Sequence, residues 1–403
     1  MKMDKVEKSG KMPVYLDYNA TTPVDDEVLT AMLPYFSHRF GNASSRTHRW
    51  GWEASSAVDH ARSQLASLIQ CKSEELVFTS GATEAVNLAI KGVFHAYHRK
   101  GKHVVTCTTE HKAVLDVCER LEEIGAEITY VGVDRQGTID LFALEKAIRT
   151  DTVLVSVMWA NNETGVVQPM EEIGRICSEK NTLLFSDATQ ALGKMSLLPR
   201  RTGVHLLAGS AHKMYGPKGV GILYVSRLNP RISFKPIVDG GGHENGFRSG
   251  TLNVTGIVGF GKAAELAGRV MESDAERYLY LRDKFETGIQ NHLTDILING
   301  HPERRLPHVS NVSFKGVSAS SLIKSLGHLL AVSTGSACTS ASLEPSHVLT
   351  GMGVSKELAE SSIRFSMGRY TTEKEIDTVI SWVVEKVQSA RSDNPVWTLN
   401  LGT

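Results

Sequence analysis

The chain has 403 residues, 41% hydrophobic and 22% charged, and its 44 lysines and arginines balance 44 aspartates and glutamates to a formal net charge of zero. That balance excludes the basic footprint of a nucleic-acid or membrane-surface protein. No apolar run reaches the roughly 18 residues a membrane span needs. The first residues, MKMDKVEKSGKM, lack the apolar core of a secretory signal and are too short and too mixed in charge for a transit peptide, so they read as a frayed leader on a cytoplasmic protein.

From about residue 52 to 226, strand-like and helix-like runs alternate. ELVFTS, HVVTC, EITYVGV, TVLVSVMWA and TLLFSDA are short, apolar and β-branched; ATEAVNLAIKGVFHAYHRK and HKAVLDVCERLEEIG lie between them as helices. In the second helix Val114, Leu115, Val117, Cys118 and Leu121 form an apolar face at helical spacing. This alternation predicts an α/β fold with a mostly parallel sheet covered by helices on both faces. VHLLAGS and GILYVS follow as two further strands around a glycine-rich turn. Near residue 252 the texture changes. A long helix is predicted from about Asn253 toward His292, then strands at DILING, HVSNVSF, LLAVSTG and SSIRFSMG, with SASSLIKSLG as a helix among them. The last helix, in TTEKEIDTVISWVVEKVQSA, has Thr371 or Thr372 to cap it and acidic residues in its first turn. These elements make a second, smaller α+β domain. The large domain is placed at 21–265, and the small one at 1–20 and 266–403.

Cysteines stand at 71, 107, 118, 177 and 338, an odd number at wide spacing without a CxxC pair. That pattern disfavours a zinc or disulfide framework and fits a reducing compartment. Four of the five fall in apolar or helical patterns, where cysteine acts as a small hydrophobe. Cys338 is different. It lies in STGSACTSASLEPSH, residues 333–347, a stretch of small residues that cannot pack a core.

Three local features point to one ligand. GSAHKMYGPKGVG places Lys213 on a glycine-flanked turn after an apolar strand. LLFSDATQ places Asp187 at the end of a very apolar strand, where a carboxylate is costly without a partner, although a capping role alone would also explain it. VFTSGATEAVNL is a strand, a small-residue turn and a helix, and such a turn offers amides and a dipole to a phosphate. A phosphate nest, an acid at a strand end and a reactive lysine suit pyridoxal phosphate. The lysine forms the Schiff base, and the carboxylate keeps the pyridine nitrogen protonated. His111, in TEHKAVL, is placed to stack on the ring or move protons near neutral pH; by itself it would read as a helix-terminal polar residue.

LDYNATTP, FGNASSRTHRWGWEA, FTSGATEAVNLAI, TEHKAVL, NNETGVVQP, DATQALGK, SAHKMYGPKG, GGGHENGFRSGT, STGSACTSASLEPSHVL and SSIRFSMGRYTTEKEID together resemble the cysteine desulfurases of the IscS/NifS type. These are pyridoxal-phosphate enzymes of the class-V aminotransferase family, with the aspartate-aminotransferase fold. The resemblance runs in order from Val14 to about Trp397, and its cysteine segment separates desulfurases from other members of the fold. It implies a seven-stranded sheet in the large domain and a shared-site homodimer. Lys213 would carry the cofactor, Asp187 would pair with the pyridine nitrogen, Gln190 with the ring hydroxyl, and His111 would stack on the ring. Ala82 and Thr83, with Ser210 and His212, would bind the phosphate, and Thr251 would reach the phosphate of the neighbouring subunit. Asn162 would lie beside cofactor and substrate. Arg364 would clamp the substrate carboxylate, a strand arginine paired to an internal acid being the alternative.

In that reading Cys338 takes sulfur from L-cysteine as a persulfide, leaving alanine, and its pliant segment carries the thiol from cofactor to surface. Acceptors would be an iron–sulfur scaffold protein and carriers for tRNA thiolation. No resident metal is expected, although Cys338 would be able to ligate a cluster transiently in a scaffold complex. Neither direct nucleic-acid binding nor membrane contact is expected. Ala211, between Ser210 and His212, stands where glycine is common in the family, and the tail after Trp397 looks short. The competing readings are a selenocysteine lyase, a nitrogenase-dedicated or Suf-type desulfurase of the same fold, an aminotransferase, for which Cys338 would have no use, and a binding protein that kept the fold without the chemistry.

Overall fold

A computed structural model describes residues 12–228, 231–334, 345–395 and 397. A short strand, β1 (Val14–Tyr15), opens the described chain. The large sheet follows with β2 (Leu76–Thr79), β3 (His103–Cys107), β4 (Glu127–Val131), β5 (Thr152–Ser156), β6 (Leu183–Asp187), β7 (Leu206–Ser210) and β8 (Gly221–Val225). Its order is β2-β8-β7-β6-β5-β3-β4. Neighbours from β4 through β3, β5 and β6 to β7 are parallel, and β8 is antiparallel to both β7 and β2. The seven strands and mostly parallel pairing agree with the expectation from the sequence.

The apolar runs explain this layout. Alternate residues of one strand face opposite sides of a sheet, and here both sides are covered. Val105, Leu184 and Leu207 join one core, whereas their neighbours Val104, Phe185 and Leu206 join the other. A strand buried on both faces must be apolar at nearly every position, as HVVTC, LLFSD and LLAGS are. The parallel strands therefore end together, and the crevice at their carboxyl ends is where open α/β sheets bind ligands.

The helix Val254–Gln290, capped by Asn253, packs Ile257, Phe260, Ala263 and Ala264 into the large core and Leu281, Phe285 and Ile289 into a third core. That third core lies against a small antiparallel sheet. Its strands are β9 (Ile296–Asn299), β10 (Val309–Phe314) and, after β11 (Leu330–Ala331), β12 (Ser362–Ser366), in the order β12-β10-β9. β10 gives Val312 and Phe314 to the apolar core. Its alternate residues Asn311 and Ser313 bond to Asn299 on β9, and Asn311 also bonds to the Glu163 carbonyl, in the segment after β5 of the seven-stranded sheet. The closing helix Glu373–Ser392 is capped by Thr372 in a reciprocal arrangement with Glu375.

The strand expected at LLAVSTG shrinks to Leu330–Ala331, which pairs in parallel with β1. Beyond it Val332 still packs against the third core, and Ser333 turns to bridge Arg364 of β12 instead of continuing the pairing with β1. Cys107, Cys118 and Cys177 are buried as expected, but Cys71 is only half-buried, past the end of its helix.

Candidate active site

The carboxyl ends of the parallel strands open onto a cavity of about 720 Å³. Ala82, Thr83, His111, Asn162, Asp187, Gln190, Ser210, His212, Lys213 and Arg364 all line it, so the residues singled out from distant motifs converge on one space. Thr251 is exposed and lines, with Arg248, a small adjoining cavity that shares Ser80 and Gly219 with the main one. Cys338 and residues 335–344 lie outside the described residues.

β2 leads through Ser80 and Gly81 into the helix Ala82–Tyr97. Gly81 has no side chain to cap that helix, and no side-chain cap bond is made, so its first amides are available to an anion. The turn approaches the sheet very closely. A Cβ at Gly221 of β8 would stand 2.6 Å from the Gly81 carbonyl carbon and 2.7 Å from the Gly209 oxygen, so glycine is required there.

His111 caps the next helix. Its Nδ1 accepts from the Ala113 amide at 3.1 Å, which places the ring proton on Nε2 when the imidazole is neutral. Asp187 ends β6 and is largely buried; its Oδ1 accepts from the Thr189 amide at 2.9 Å. Both residues thus have the local capping role that the sequence allowed, and both also face the cavity.

Lys213 follows β7 in the short 3₁₀ turn Ala211–Lys213. Tyr215, just beyond, is held in the left-handed region at φ 64°, a costly conformation fixed by its surroundings. Its amide donates to Thr22 Oγ1 at 2.8 Å, and its hydroxyl meets that of Tyr278 at 3.0 Å. Lys213 Nζ donates to the carbonyls of Asn19 and Ala20, both at 2.6 Å. His212 Nδ1 lies 3.2 Å from Thr21 Oγ1. Burial, then the charges of Lys213, Lys218 and Lys194, push the His212 imidazole down to about 4, so it is neutral at pH 7.

Arg364, on β12, reaches the cavity from the small sheet. Its Nη2 donates to Asp17 Oδ1 at 2.8 Å and its Nη1 to the Asn162 carbonyl at 2.9 Å. The internal acid pair that the sequence left open is therefore present. It engages one hydrogen on each terminal nitrogen of a group that has five, and leaves donors for a second carboxylate. The other Asp17 oxygen accepts from Ser333 Oγ at 2.7 Å. Ser346, on the far side of residues 335–344, donates to Glu163 Oε2 at 2.5 Å, and His347 Nε2 donates to the Glu110 carbonyl at 2.9 Å. Glu163 and Glu110 are fully enclosed, and burial raises the pKa of both.

Sequence reasoning missed Asp17, Asn19, Lys194 and His308. Asn19 is buried; its carbonyl accepts from Lys213 and from Gln190 Nε2 at 3.0 Å, and its Oδ1 accepts from His308 Nε2 at 2.7 Å. LDYNATTP carried the only hint, a polar pair inside an otherwise strand-like start.

The donor set fits pyridoxal phosphate. An uncapped helix start suits the phosphate, a buried carboxylate suits a pyridinium, and an amine stands beside them. The cavity also holds buried polar atoms without protein partners, Asn162 Oδ1, Thr189 Oγ1 and Arg364 Nε, as a site built for a polar ligand would.

The aminotransferase class-V family matches residues 14–379. Cysteine desulfurase IscS of Anaeromyxobacter sp. (strain Fw109-5) is 54% identical over 96% of this chain and 95% of that protein. Among solved structures, a NifS-like protein superposes with a TM-score of 0.87 at 38% identity, covering 94% of this chain and all of the other. SspA, solved in complex with cysteine, superposes with a TM-score of 0.79 at 35% identity, covering 89% of this chain and 99% of that one. The chain belongs to the class-V aminotransferase family. Within that family it is of the cysteine desulfurase type, alongside the IscS and NifS proteins.

Proposed function

We propose that this chain is a cysteine desulfurase that uses pyridoxal phosphate to convert L-cysteine to L-alanine and leaves the sulfur as a persulfide on Cys338. The convergence of Lys213, Asp187, Gln190, His111 and Arg364 on one cavity carries this reading. The cofactor would be held by the Lys213 amine, by Asp187 at the pyridine nitrogen, by Gln190 at the ring hydroxyl, and by Ala82, Thr83, Ser210 and His212 at the phosphate. When bound, it draws electrons from the carbons of the amino acid and so weakens the bond to sulfur.

The chain's own residues do the rest. Arg364 and Asn162 bind and orient the substrate carboxylate. Neutral His212 would donate one hydrogen bond without adding charge. His111 presents its Nε2 proton. The balance is L-cysteine plus the Cys338 thiol giving L-alanine plus the Cys338 persulfide: the Cβ–S bond breaks and an S–S bond forms. Burial supports the choice of thiol by exclusion. It pushes Cys107 up to about 11 and Cys71, Cys118 and Cys177 up to about 12, so these four stay protonated and are poor nucleophiles.

The finer assignments belong to the same proposal. Residues 21–265 carry the cofactor, and residues 1–20 with 266–403 form the small domain. The chain works as a homodimer in the cytoplasm, with Thr251 reaching the partner's phosphate. In support of a dimer, Leu33, Phe36, Phe40, Trp50 and Trp52 are exposed close together in sequence, with Phe40 stacked on Trp50 at 4.9 Å. No helix among the described residues is long and apolar enough to cross a membrane. Sulfur goes on to an iron–sulfur scaffold protein and to tRNA-thiolation carriers. The named relatives give no support to a selenocysteine lyase.

The test is Cys338→Ser. It should bind cofactor normally yet yield no sulfide and no alanine beyond a trace. Wild type given one equivalent of cysteine without reductant should gain one sulfur atom on the peptide containing Cys338, located by alkylation and mass spectrometry. Sulfur on any other cysteine, or alanine at the wild-type rate from Cys338→Ser, would sink the reading.

A further inference from the structure

We infer that Lys194 is a positioning residue for the cofactor, holding the Gln190 amide with its nitrogen toward the cavity. The inference rests on the proposed cofactor reading and on hydrogen-bond parity at Gln190. Gln190 Nε2 donates to the Asn19 carbonyl at 3.0 Å. A backbone carbonyl can only accept, so that contact must be made by the amide nitrogen. Gln190 Oε1 in turn accepts from Lys194 Nζ at 3.1 Å, and an amine carries hydrogen to donate in either protonation state. The two contacts agree on a single orientation of the amide. The Asn19 carbonyl also accepts Lys213 Nζ at 2.6 Å, which fills its two lone pairs and ties Gln190 to the lysine that would carry the cofactor.

One Nε2 hydrogen remains, and Gln190 lines the cavity. It offers a donor to an anionic ring oxygen. A flipped amide would offer an oxygen instead and repel that ligand. Lys194 and the Asn19 carbonyl hold that choice together, because a flip would set the amide oxygen against the Asn19 carbonyl and take from the Lys194 amine the acceptor it now uses.

Lys194 lies four residues after Gln190 and touches the cavity only through it. Part of its side chain is accessible, but its amine is enclosed by protein. On its other side it faces Tyr18, Tyr215, Asp274, Tyr278 and His308 in a narrow cleft. Burial, then the charges of Lys213 and Arg364, hold the amine well below the usual lysine range. An amine kept at that cost beside a cofactor site, without lining it, needs a role, and fixing Gln190 supplies one.

The test is a double-mutant cycle on the holoenzyme, read as the pH midpoint of its visible absorbance band. A hydrogen bond donated to the ring oxygen stabilises the oxygen anion once the Schiff-base nitrogen has lost its proton, so it lowers that midpoint. Lys194→Met should raise the midpoint by about half to one pH unit, the size of one ordinary hydrogen bond. Gln190→Leu should raise it at least as much, and adding Lys194→Met to Gln190→Leu should add nothing. The other titratable groups around the cavity, Asp17, Glu84, His111, Asp187, His212, Lys218 and Arg364, are the same in every variant. An unchanged midpoint in Lys194→Met would overturn the inference. So would an equal rise on the Gln190→Leu background, because Lys194 would then act by charge alone. Should Lys194→Met fail to fold, Lys194→Leu enters the same cycle with the same two outcomes. A wild type with no titrating visible band would instead overturn the cofactor reading, with the inference falling as its consequence.

Discussion

In the proposed reaction Arg364 serves the substrate carboxylate as well as Asp17, and removing it allows the two roles to be separated. Its side chain is 5% exposed and that of Asp17 16%, with 2.8 Å between Nη2 and Oδ1. Arg364→Ala strands the Asp17 carboxylate with Ser333 as its one remaining side-chain donor among the described residues. Deleting one member of a buried pair costs about 3–5 kcal/mol. Losing a charge-assisted bond to the substrate carboxylate costs about 1.5–3 kcal/mol, a rise in KM of about ten- to a hundred-fold. A single mutant mixes the two losses. The double mutant Arg364→Ala/Asp17→Asn removes the stranded charge and leaves an amide that can still accept from Ser333. It should recover most of the lost stability in urea or thermal unfolding, while KM for L-cysteine stays as high as in Arg364→Ala. The assays are equilibrium unfolding of both variants and steady-state alanine production. If KM returns to the wild-type value in the double mutant, Arg364 acts only as the partner of Asp17, and its role as the carboxylate clamp is refuted.

Lys213→Ala should purify colourless and fail to hold cofactor through gel filtration, with the fold intact, since Lys213 lies on a turn and contributes little to either core; a retained visible band would assign the cofactor to another lysine. For His212 the sign follows from its depressed pKa. The unfolded state takes up the proton near 6.5 while the folded state waits until about 4, so stability is full above about 6.5 and is lost as pH falls toward 4. The cofactor-free protein should therefore unfold at lower urea at pH 5 than at pH 7, and His212→Asn should flatten that dependence; the same slope in the variant would count against a neutral, buried His212.

The positions of Lys213, Asp187 and the phosphate turn were legible because each follows a strand whose apolar run fixes where it ends. LLAGS must stop when its last buried residue is spent, and the lysine turn comes next. LLFSD likewise delivers Asp187 to the edge of the core. Asp17 and Asn19 were not legible in the same way. Asp17 meets Arg364 across 347 positions, and Asn19 meets Lys213 across 194. No local periodicity marks such partners. Lys194 was hidden for a different reason: an isolated lysine after a short apolar run reads as a solvated turn, and only the donors and acceptors around Gln190 give it a role. The choice between Thr371 and Thr372 as cap was already in the sequence: Glu375 stands three residues after Thr372, and in the helix each side chain reaches the other's amide.

The segment from Val14 to Thr22 shows why these distant partners belong together. It begins as a strand paired with β11, Val14 opposite Leu330. It then bridges Asp17 to Ser366, the last residue of β12, and ends where the Thr22 amide donates to the His212 carbonyl at 2.9 Å, in the lysine turn. Arg364 and Lys213 come from different sheets, so their spacing across the cavity would vary with any movement of one sheet against the other. A single stretch, turning at Tyr18–Ala20 and hydrogen-bonded to both, fixes that spacing from the two sides. Its polar residues face inward because they complete the site: Asp17 balances Arg364, and Asn19 takes up Lys213, Gln190 and His308. An amino acid held by its carboxylate at Arg364 is thereby set at a fixed distance from the amine of Lys213, and the reaction proposed for the chain requires that alignment.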